Sequence, residues 1–269
     1  MPLTITYPLS ALLAIAIPIL VGIFLAQKYG LTWKLFLYGA AAFVLAQLVH
    51  IPLNLALSKF IPALGPNGNL LARVLVFSLT AAITEEPARY SVLKGKLSWA
   101  RGWKEALMYG AGHGGLESIL VGLSLLGAFI SLSALRANPA QLAQIPPAQQ
   151  ALVQKQLEAF WSATWYVSLM PAVERFFTLI IQIALAVIVM QVFLRGNRHW
   201  LWAAIGWHWL VNAVSVWSLG RFQNVFITES IIGVFALTSL MIILFFRPVP
   251  QEAVVTSDLG KADEAKGDG

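Results

Sequence analysis

Long apolar runs separated by short polar connections are the main pattern of this 269-residue chain. A helix that crosses the hydrocarbon core of a bilayer needs about 20 consecutive, mostly apolar residues. Seven runs meet this requirement: approximately Tyr7–Gln27, Trp33–Leu57, Leu70–Leu93, Lys104–Ser131, Trp165–Leu194, Trp200–Leu219 and Val225–Phe246. The runs are too long for barrel strands and lack their alternation. The pattern therefore predicts an all-α fold, a polytopic transmembrane bundle of about seven spanning helices.

The polar segments outside these runs complete the predicted organisation. The longest connection, about 132–164, contains three prolines and a stretch, Ala148–Phe160, that is able to form a short helix on the outer membrane interface. Residues 248–269 are rich in Asp, Glu, Lys and Gly, which predicts a disordered cytoplasmic tail. We therefore expect one transmembrane domain over residues 1–247, without an internal repeat.

The composition agrees with an integral membrane protein. Hydrophobic residues make up 58% of the chain and charged residues only 11%, against roughly a quarter in soluble domains. The net charge of +6 does not indicate nucleic-acid binding, because the basic residues lie at the ends of the apolar runs. If the N-terminus is outside, the inner segments hold eleven Lys and Arg residues and the outer ones five. This bias predicts an N-out, C-in orientation in the cell membrane.

Three of the apolar runs carry polar groups that are costly in a membrane, where an ionisable side chain at the centre costs at least ~2.5–3.5 kcal/mol. With the predicted orientation, the central polar residues of all three runs lie ~12–14 Å from the cytoplasmic boundary, at 1.5 Å per helical residue. The sequence therefore predicts that they meet in one buried layer. The groups are Glu85, Glu86 and Arg89 in the third run, His113 and Glu117 in the fourth, and His208 and Asn212 in the sixth.

Other intramembrane polar residues receive more general interpretations. His50 and Asn54 share a helix face and are interpreted as structural or pore-adjacent, and Glu174 with Arg175 as a packing or gating pair. The fourth run is also rich in glycine, which allows the close approach of another helix or of a substrate backbone. These glycines are Gly110, Gly112, Gly114 and Gly115. The chain has no cysteine, which excludes thiolate metal sites.

The three polar groups resemble the motifs of the YhfC-type branch of the CAAX-protease and bacteriocin-processing intramembrane proteases. That superfamily carries a Glu-Glu motif followed by Arg, an aromatic-x-x-x-His motif and His-x-x-x-Asn or Asp. The corresponding residues, in the same order, are Glu85-Glu86-Pro87-Ala88-Arg89, Tyr109-Gly110-Ala111-Gly112-His113 and His208-Trp209-Leu210-Val211-Asn212. Arg89 departs from the broader pattern, since it follows Glu86 by three residues rather than four. The resemblance covers about Leu70 to Ala213.

The resemblance implies an intramembrane endopeptidase of the glutamic type, with a membrane-embedded or membrane-proximal peptide as substrate. In such an enzyme Glu85 with His113 would activate water, and His208 with Asn212 would stabilise the oxyanion. The residues expected to orient these groups are Glu86, Arg89 and Glu117. No cofactor is expected in this form, so the purified protein would lack stoichiometric zinc. Zn²⁺ is the alternative, because histidine and carboxylate ligands with one open position are typical of catalytic zinc.

Two other classes of function use the same residues. A proton- or cation-coupled transporter would employ the buried carboxylates and histidines as a relay, although no repeat relates the two halves of the chain. A structural membrane subunit would use them for helix association. A retinal protein is excluded because the last predicted helix has no Lys. Membrane lipid and a peptide are the predicted partners, without nucleic acid, and the sequence does not indicate an oligomeric state.

The basic-residue bias generates a topological prediction. A reporter fused after Phe246 should report a cytoplasmic location, and one inserted within Gln141–Gln154 an external location, because positively charged connections are retained on the inner side. Phosphatase and fluorescent-protein fusions in whole cells measure this. The reverse pattern would contradict both the orientation and the calculated depth of the polar layer.

Overall fold

The computed structural model describes residues 1–248, and within this range the regular structure is helical throughout, with no strand. The all-α fold class predicted from the sequence is confirmed. The predicted tail at 248–269 lies outside the described residues, apart from Pro248. The α-helices of the described range are α1 (Leu3–Tyr29), α2 (Trp33–Phe60), α3 (Leu70–Gly95), α4 (Trp103–Ala137), α5 (Pro147–Ser162), α6 (Met170–Leu194), α7 (His199–Phe222) and α8 (Val225–Phe245).

Each of the seven predicted runs forms a helix, and most ends agree to within a few residues. The main exception is the C-terminal end of α4, which lies at Ala137 rather than near Ser131. α6 begins at Met170 instead of Trp165, since a separate 3₁₀ turn occupies Val167–Leu169. The short helix predicted in the long connection is α5, which begins at Pro147, a residue favoured at the first helical position.

The number of membrane spans is smaller when composition is considered together with length. Among residues 1–248, five segments are long and apolar enough to cross a membrane: α1, α2, α4, α6 with its preceding turn, and α8. α3 and α7 are long enough, at 26 and 24 residues, but they carry the polar motifs. α3 nevertheless exposes Leu71, Leu75, Leu79 and Ile83 at four-residue spacing, a face suited to lipid. All seven long helices therefore belong to the bundle, and five of them are assigned as membrane spans by composition.

α4 and α6 form the centre of the bundle, and glycine permits their close packing. A Cβ atom on Gly112 would lie 1.9 Å from the Phe36 carbonyl oxygen of α2, and one on Gly110 would lie 2.7 Å from Ile183 Cα of α6. α2 contributes Gly39 to the same contact, where a Cβ would lie 2.0 Å from the Tyr109 carbonyl oxygen. The sequence predicted that these glycines allow the close approach of either another helix or a substrate backbone. The structure shows the close approach of neighbouring helices.

The contact between α2 and α4 generates a stability prediction. Gly112→Ala should lower the free energy of unfolding by ~1–3 kcal/mol, the usual cost of overpacking, because the new methyl group overlaps backbone atoms. Gly127→Ala in the same helix is the matched control, since a Cβ there meets no atom within 4 Å. Thermal unfolding in detergent measures both variants. Equal unfolding temperatures for the two would contradict the backbone contact.

Candidate active site

The polar groups of α3, α4 and α7 meet at one buried point. Glu85 Oε2 lies 3.2 Å from His113 Nε2 and 3.9 Å from His208 Nε2. All three residues are buried, with exposed fractions of 6% for Glu85, 0% for His113 and 3% for His208. The layer predicted from helical depth is therefore present in the structure. We call Glu85, Glu86, His113 and His208 the carboxylate–histidine cluster.

Glu86 fixes the second histidine of the cluster. Its Oε1 accepts a hydrogen bond from His208 Nδ1 at 2.8 Å, and its Oε2 pairs with Arg89 Nε at 3.0 Å. Because His208 Nδ1 donates to this carboxylate, the opposite ring nitrogen, Nε2, is directed toward Glu85. The three-residue spacing between Glu86 and Arg89 still places them on one helix face. The departure of Arg89 from the family pattern therefore does not separate it from the cluster.

Arg89 is held from three sides. Its Nη2 donates to Gln182 Oε1 at 2.6 Å, and its Nη1 donates to the Gln182 carbonyl oxygen at 3.3 Å. The Arg89 carbonyl oxygen accepts a hydrogen bond from the Tyr109 hydroxyl at 3.2 Å. The aromatic residue four positions before His113 thus joins α4 to α3 beside the ion pair. A buried charge is tolerated when it is paired and hydrogen-bonded in this way.

Glu117 and Asn212 lie outside the carboxylate–histidine cluster. Glu117 Oε1 accepts from Arg175 at 2.8 Å, and Glu117 Oε2 accepts from Gln182 at 3.0 Å. Glu117 therefore reaches Arg89 only through Gln182. Asn212 lies one turn beyond His208 and has, within residues 1–248, no direct hydrogen bond to the cluster. Arg175 also pairs with Glu174, which places that predicted pair next to Glu117.

Sequence reasoning missed Gln47, which contacts the cluster directly. Gln47 Nε2 donates to Glu85 Oε1 at 3.2 Å, and Gln47 Oε1 lies 3.2 Å from His50 Nδ1. His50 Nε2 in turn lies 2.7 Å from Asn54 Nδ2. His50 and Asn54, interpreted as structural or pore-adjacent, thus belong to a hydrogen-bonded chain that ends on Glu85. The three- and four-residue spacing of Gln47, His50 and Asn54 along an apolar helix is the signal from which Gln47 could have been found.

Gln182 is the second missed residue, and it connects the two halves of the polar network. It accepts from Arg89 and donates to Glu117. The signal in the sequence is weaker here, since Gln182 is one of two amides, with Gln191, within the most continuously buried helix, α6. A polar residue in such a position needs a partner, because an unsatisfied buried amide costs free energy.

Two cavities lie near the cluster. One, of about 270 Å³, lies between α2, α3 and α7 and is lined partly by His50, Asn54 and Asn212. The other, of about 240 Å³, lies between α4, α6, α7 and α8 and is lined partly by His208, Asn212 and Glu117. Asn212 therefore borders both cavities. The second cavity includes the cluster residue His208, whereas the first ends about one helical turn from the cluster.

The cluster has the donor chemistry of a zinc site, namely one carboxylate oxygen and two imidazole nitrogens. Tetrahedral zinc with bonds of ~2.0–2.2 Å separates its ligand atoms by ~3.3–3.5 Å. The observed separations from Glu85 Oε2 are 3.2 and 3.9 Å. Metal-binding histidines commonly donate their other ring N–H to a carboxylate, as His208 does to Glu86. The donor set therefore fits zinc by its chemistry.

The arrangement of these donors is wider than that of a bound zinc. Across residues 1–248, no group of three or more His, Asp or Glu side chains stands in an arrangement ready to hold a metal ion. The separation of 3.9 Å between Glu85 Oε2 and His208 Nε2 exceeds the ~3.3–3.5 Å expected for two zinc ligands. His113 Nδ1 is buried without a hydrogen-bond partner, which favours the tautomer with the proton on Nε2, donating to Glu85. That tautomer suits a metal-free carboxylate–histidine pair.

Comparison with known proteins identifies the family of this chain. The family described as YhfC intramembrane metalloprotease matches residues 13–232, from α1 into α8. The chain is 29% identical over 242 residues to the uncharacterized membrane protein YhfC of Bacillus subtilis (strain 168), which covers 86% of this chain and 92% of that protein. No solved structure matches the chain. The family match spans most of the sequence and contains all three polar motifs, so this membrane protein belongs to the YhfC intramembrane metalloprotease family.

Proposed function

We propose that this chain is an intramembrane endopeptidase that hydrolyses a peptide bond at the carboxylate–histidine cluster. The observation that carries the proposal is the position of Glu85 Oε2 between the Nε2 atoms of His113 and His208, at 3.2 and 3.9 Å. These groups come from three different helices and are buried in an apolar bundle. Membership of a family described as intramembrane metalloproteases supports the same reaction.

In the metal-free form of the proposed reaction Glu85 is the base, whereas in the zinc-dependent form described below it would be a ligand of the ion. Gln47 donates to its Oε1, which orients the carboxylate so that Oε2 faces the two histidines. A water molecule at Oε2 gives its proton to Glu85 as its oxygen adds to the carbonyl carbon of the peptide bond. When the C–N bond breaks, that proton passes to the departing amine nitrogen. His113 bonds to Glu85 and keeps the carboxylate in place during both transfers.

The remaining residues position this centre or stabilise charge. His208 is held by Glu86, which is held by Arg89, so the His208 ring has little freedom to rotate. Asn212 lies one turn from His208 on the wall of both cavities, where its amide is available to a carbonyl oxygen of a bound peptide. Donors at that place stabilise the oxyanion that forms during hydrolysis.

A zinc-dependent form of the same reaction has its own support. The family description names a metalloprotease. The hydrogen bond from His208 to Glu86 is also typical of metal-binding histidines, which commonly donate their second ring N–H to a carboxylate. Glu85, His113 and His208 would hold the ion. When bound, zinc acts as a Lewis acid and lowers the pKa of its water to about 7. We favour this form over the metal-free one expected from the sequence, because the donor set and the family description agree.

Replacement of the Glu85 carboxylate tests the proposed function. Glu85→Gln should reduce the cleavage of membrane peptides by ~10²–10⁴-fold, because the amide keeps the shape of the side chain but can neither take a proton nor bind zinc as a carboxylate does. His113→Ala and His208→Ala should be as severe, and Asn212→Ala should cost ~10²–10³-fold. Purified protein in liposomes, with a library of membrane-spanning peptides and mass spectrometry of the products, measures this.

The matched control replaces another buried carboxylate. Glu229→Gln changes a residue of α8 that is 7% exposed, against 6% for Glu85, and should retain cleavage. His50→Ala does not serve as a control, because His50 bonds to Gln47 and through it to Glu85. Wild-type cleavage that survives Glu85→Gln would refute the assignment. An absence of cleavage together with Glu85-dependent ion flux would favour the transporter.

Metal content decides between the two forms of the enzyme. We expect about one zinc per chain in the purified protein, and we expect His113→Ala to lose the zinc together with the activity, since one of three protein ligands is removed. Elemental analysis measures the zinc, and thermal unfolding with and without a chelator measures its effect on stability. Glu85-dependent cleavage by chelated protein without zinc would establish the metal-free glutamic form instead.

A further inference from the structure

The cavity between α2, α3 and α7 follows one face of α3 toward the cluster. Val74, Ser78 and Ala81 line it, and their spacing of four and three residues continues to Glu85, which lies one turn after Ala81. On the opposite wall, Asn212 lies one turn from His208. The cavity therefore begins about one helical turn from Glu85 and His208 and extends toward the first turn of α3.

Arg73 lines the far end of this cavity and has no carboxylate partner among residues 1–248. Its Nη1 donates to the Pro66 carbonyl oxygen at 3.2 Å, and its Nε is buried without a hydrogen-bond partner. In the described range, no Asp or Glu pairs with it. The sequence explains why: residues 1–84 and 175–228, which supply these cavity walls, contain no Asp or Glu. An arginine in a cavity without a counter-ion is suited to an anionic ligand group.

The lining between Arg73 and the cluster suits an extended peptide. Leu70, Val74, Phe77 and Val216 supply apolar surface, whereas Asn54, Ser78 and Asn212 supply polar groups. Inside a membrane, the N–H and C=O groups of an extended backbone need hydrogen-bond partners from the protein. A wholly apolar groove would not provide them. This mixture of apolar and polar residues therefore fits a peptide segment better than a lipid chain.

The separation of Arg73 from Glu85 along α3 sets the position of the charged group. Arg73 precedes Glu85 by twelve residues, which corresponds to ~18 Å along a helix. A long side chain on a helix points toward the helix N-terminus, which adds up to ~6 Å for the guanidinium. An extended peptide advances ~3.3 Å per residue. The distance from the scissile bond to Arg73 therefore corresponds to about five to seven residues.

We propose that this cavity binds the part of the substrate that flanks the scissile bond, and that Arg73 binds a carboxylate group five to seven residues from that bond. The inference rests on the proposed peptidase function. The carboxylate belongs either to an acidic side chain or to the C-terminus of the substrate. Arg73 thus selects substrates by their charge and sets the position of cleavage.

Peptides with one movable charge test this proposal. A set of membrane-spanning peptides carries a single Asp at successive positions, each paired with the same peptide carrying Asn and with a version whose C-terminus is amidated. We expect cleavage to place the carboxylate five to seven residues from the cut. Asp→Asn in the preferred peptide should raise KM by at least ~10-fold with little change in kcat, because a charge-assisted hydrogen bond is lost. If amidation alone has this effect, the terminal carboxylate is the ligand.

Variants of the arginine separate recognition from folding. Arg73→Leu should abolish the difference between Asp and Asn peptides, Arg73→Lys should restore part of it, and Arg73→Glu should favour peptides with Lys at that position. Arg221→Leu is the matched control, since Arg221 lies near the same end of the bundle, is exposed and does not line the cavity. It should leave the ratio of Asp to Asn cleavage unchanged. The unfolding temperature of each variant reports whether the fold is intact.

A binding measurement tests the recognition of the carboxylate by Arg73 without requiring cleavage of the peptide. Fluorescently labelled Asp and Asn peptides are titrated against the Glu85→Gln variant in nanodiscs, with and without Arg73→Leu. Binding that prefers Asp by at least ~10-fold and depends on Arg73 supports the inference even if no peptide is cleaved, in which case only the proposed function fails. Glu85-dependent cleavage without an Asp preference overturns the inference alone. Equal binding of both peptides, together with an Arg73-dependent rise in the unfolding temperature when phosphatidylglycerol is added, overturns the inference and makes a lipid headgroup the ligand of Arg73.

Discussion

Two adjacent carboxylates in an apolar helix are the constraint on which the rest of this structure depends. Charges are tolerated at this depth only when every oxygen has a partner. Glu85 obtains its partners from Gln47 of α2 and His113 of α4, and Glu86 obtains its partners from Arg89 of α3 itself and His208 of α7. Four helices are therefore required around one point. The bundle is organised by the satisfaction of these two groups.

Close backbone packing makes those contacts possible. α4 carries its histidine between two helices, and glycine at Gly110 and Gly112 lets it approach α6 and α2 until backbone atoms touch. With larger residues the helices would separate, and the distance from His113 to Glu85 would exceed hydrogen-bonding range. The glycine-rich character of α4 is thus a structural condition for the polar cluster, and substrate contact is not needed to explain it.

The same polar network serves stability and chemistry. From Glu86 it continues through Arg89 and Gln182 to Glu117 and Arg175, so the cluster is joined to the wall of the second cavity. Residues with locked rotamers and complete hydrogen bonding preorganise a reactive centre. The separation of 3.9 Å between Glu85 Oε2 and His208 Nε2 exceeds that of two tetrahedral zinc ligands, so the zinc-dependent form proposed above requires these two groups to move closer together.

The sequence alone determined the helical class, the seven apolar runs and the meeting of three polar motifs, because helical periodicity and the cost of charge in lipid act locally along the chain. It also indicated glycine-mediated packing on α4. Only the tertiary structure decided which polar groups pair. Gln47 and Gln182 are ordinary amides in the sequence, and their importance comes from neighbours 38 and 93 residues away. Glu117, one turn from His113, instead bonds to α6. Such choices depend on how the helices rotate against one another, which side-chain periodicity within one helix does not specify.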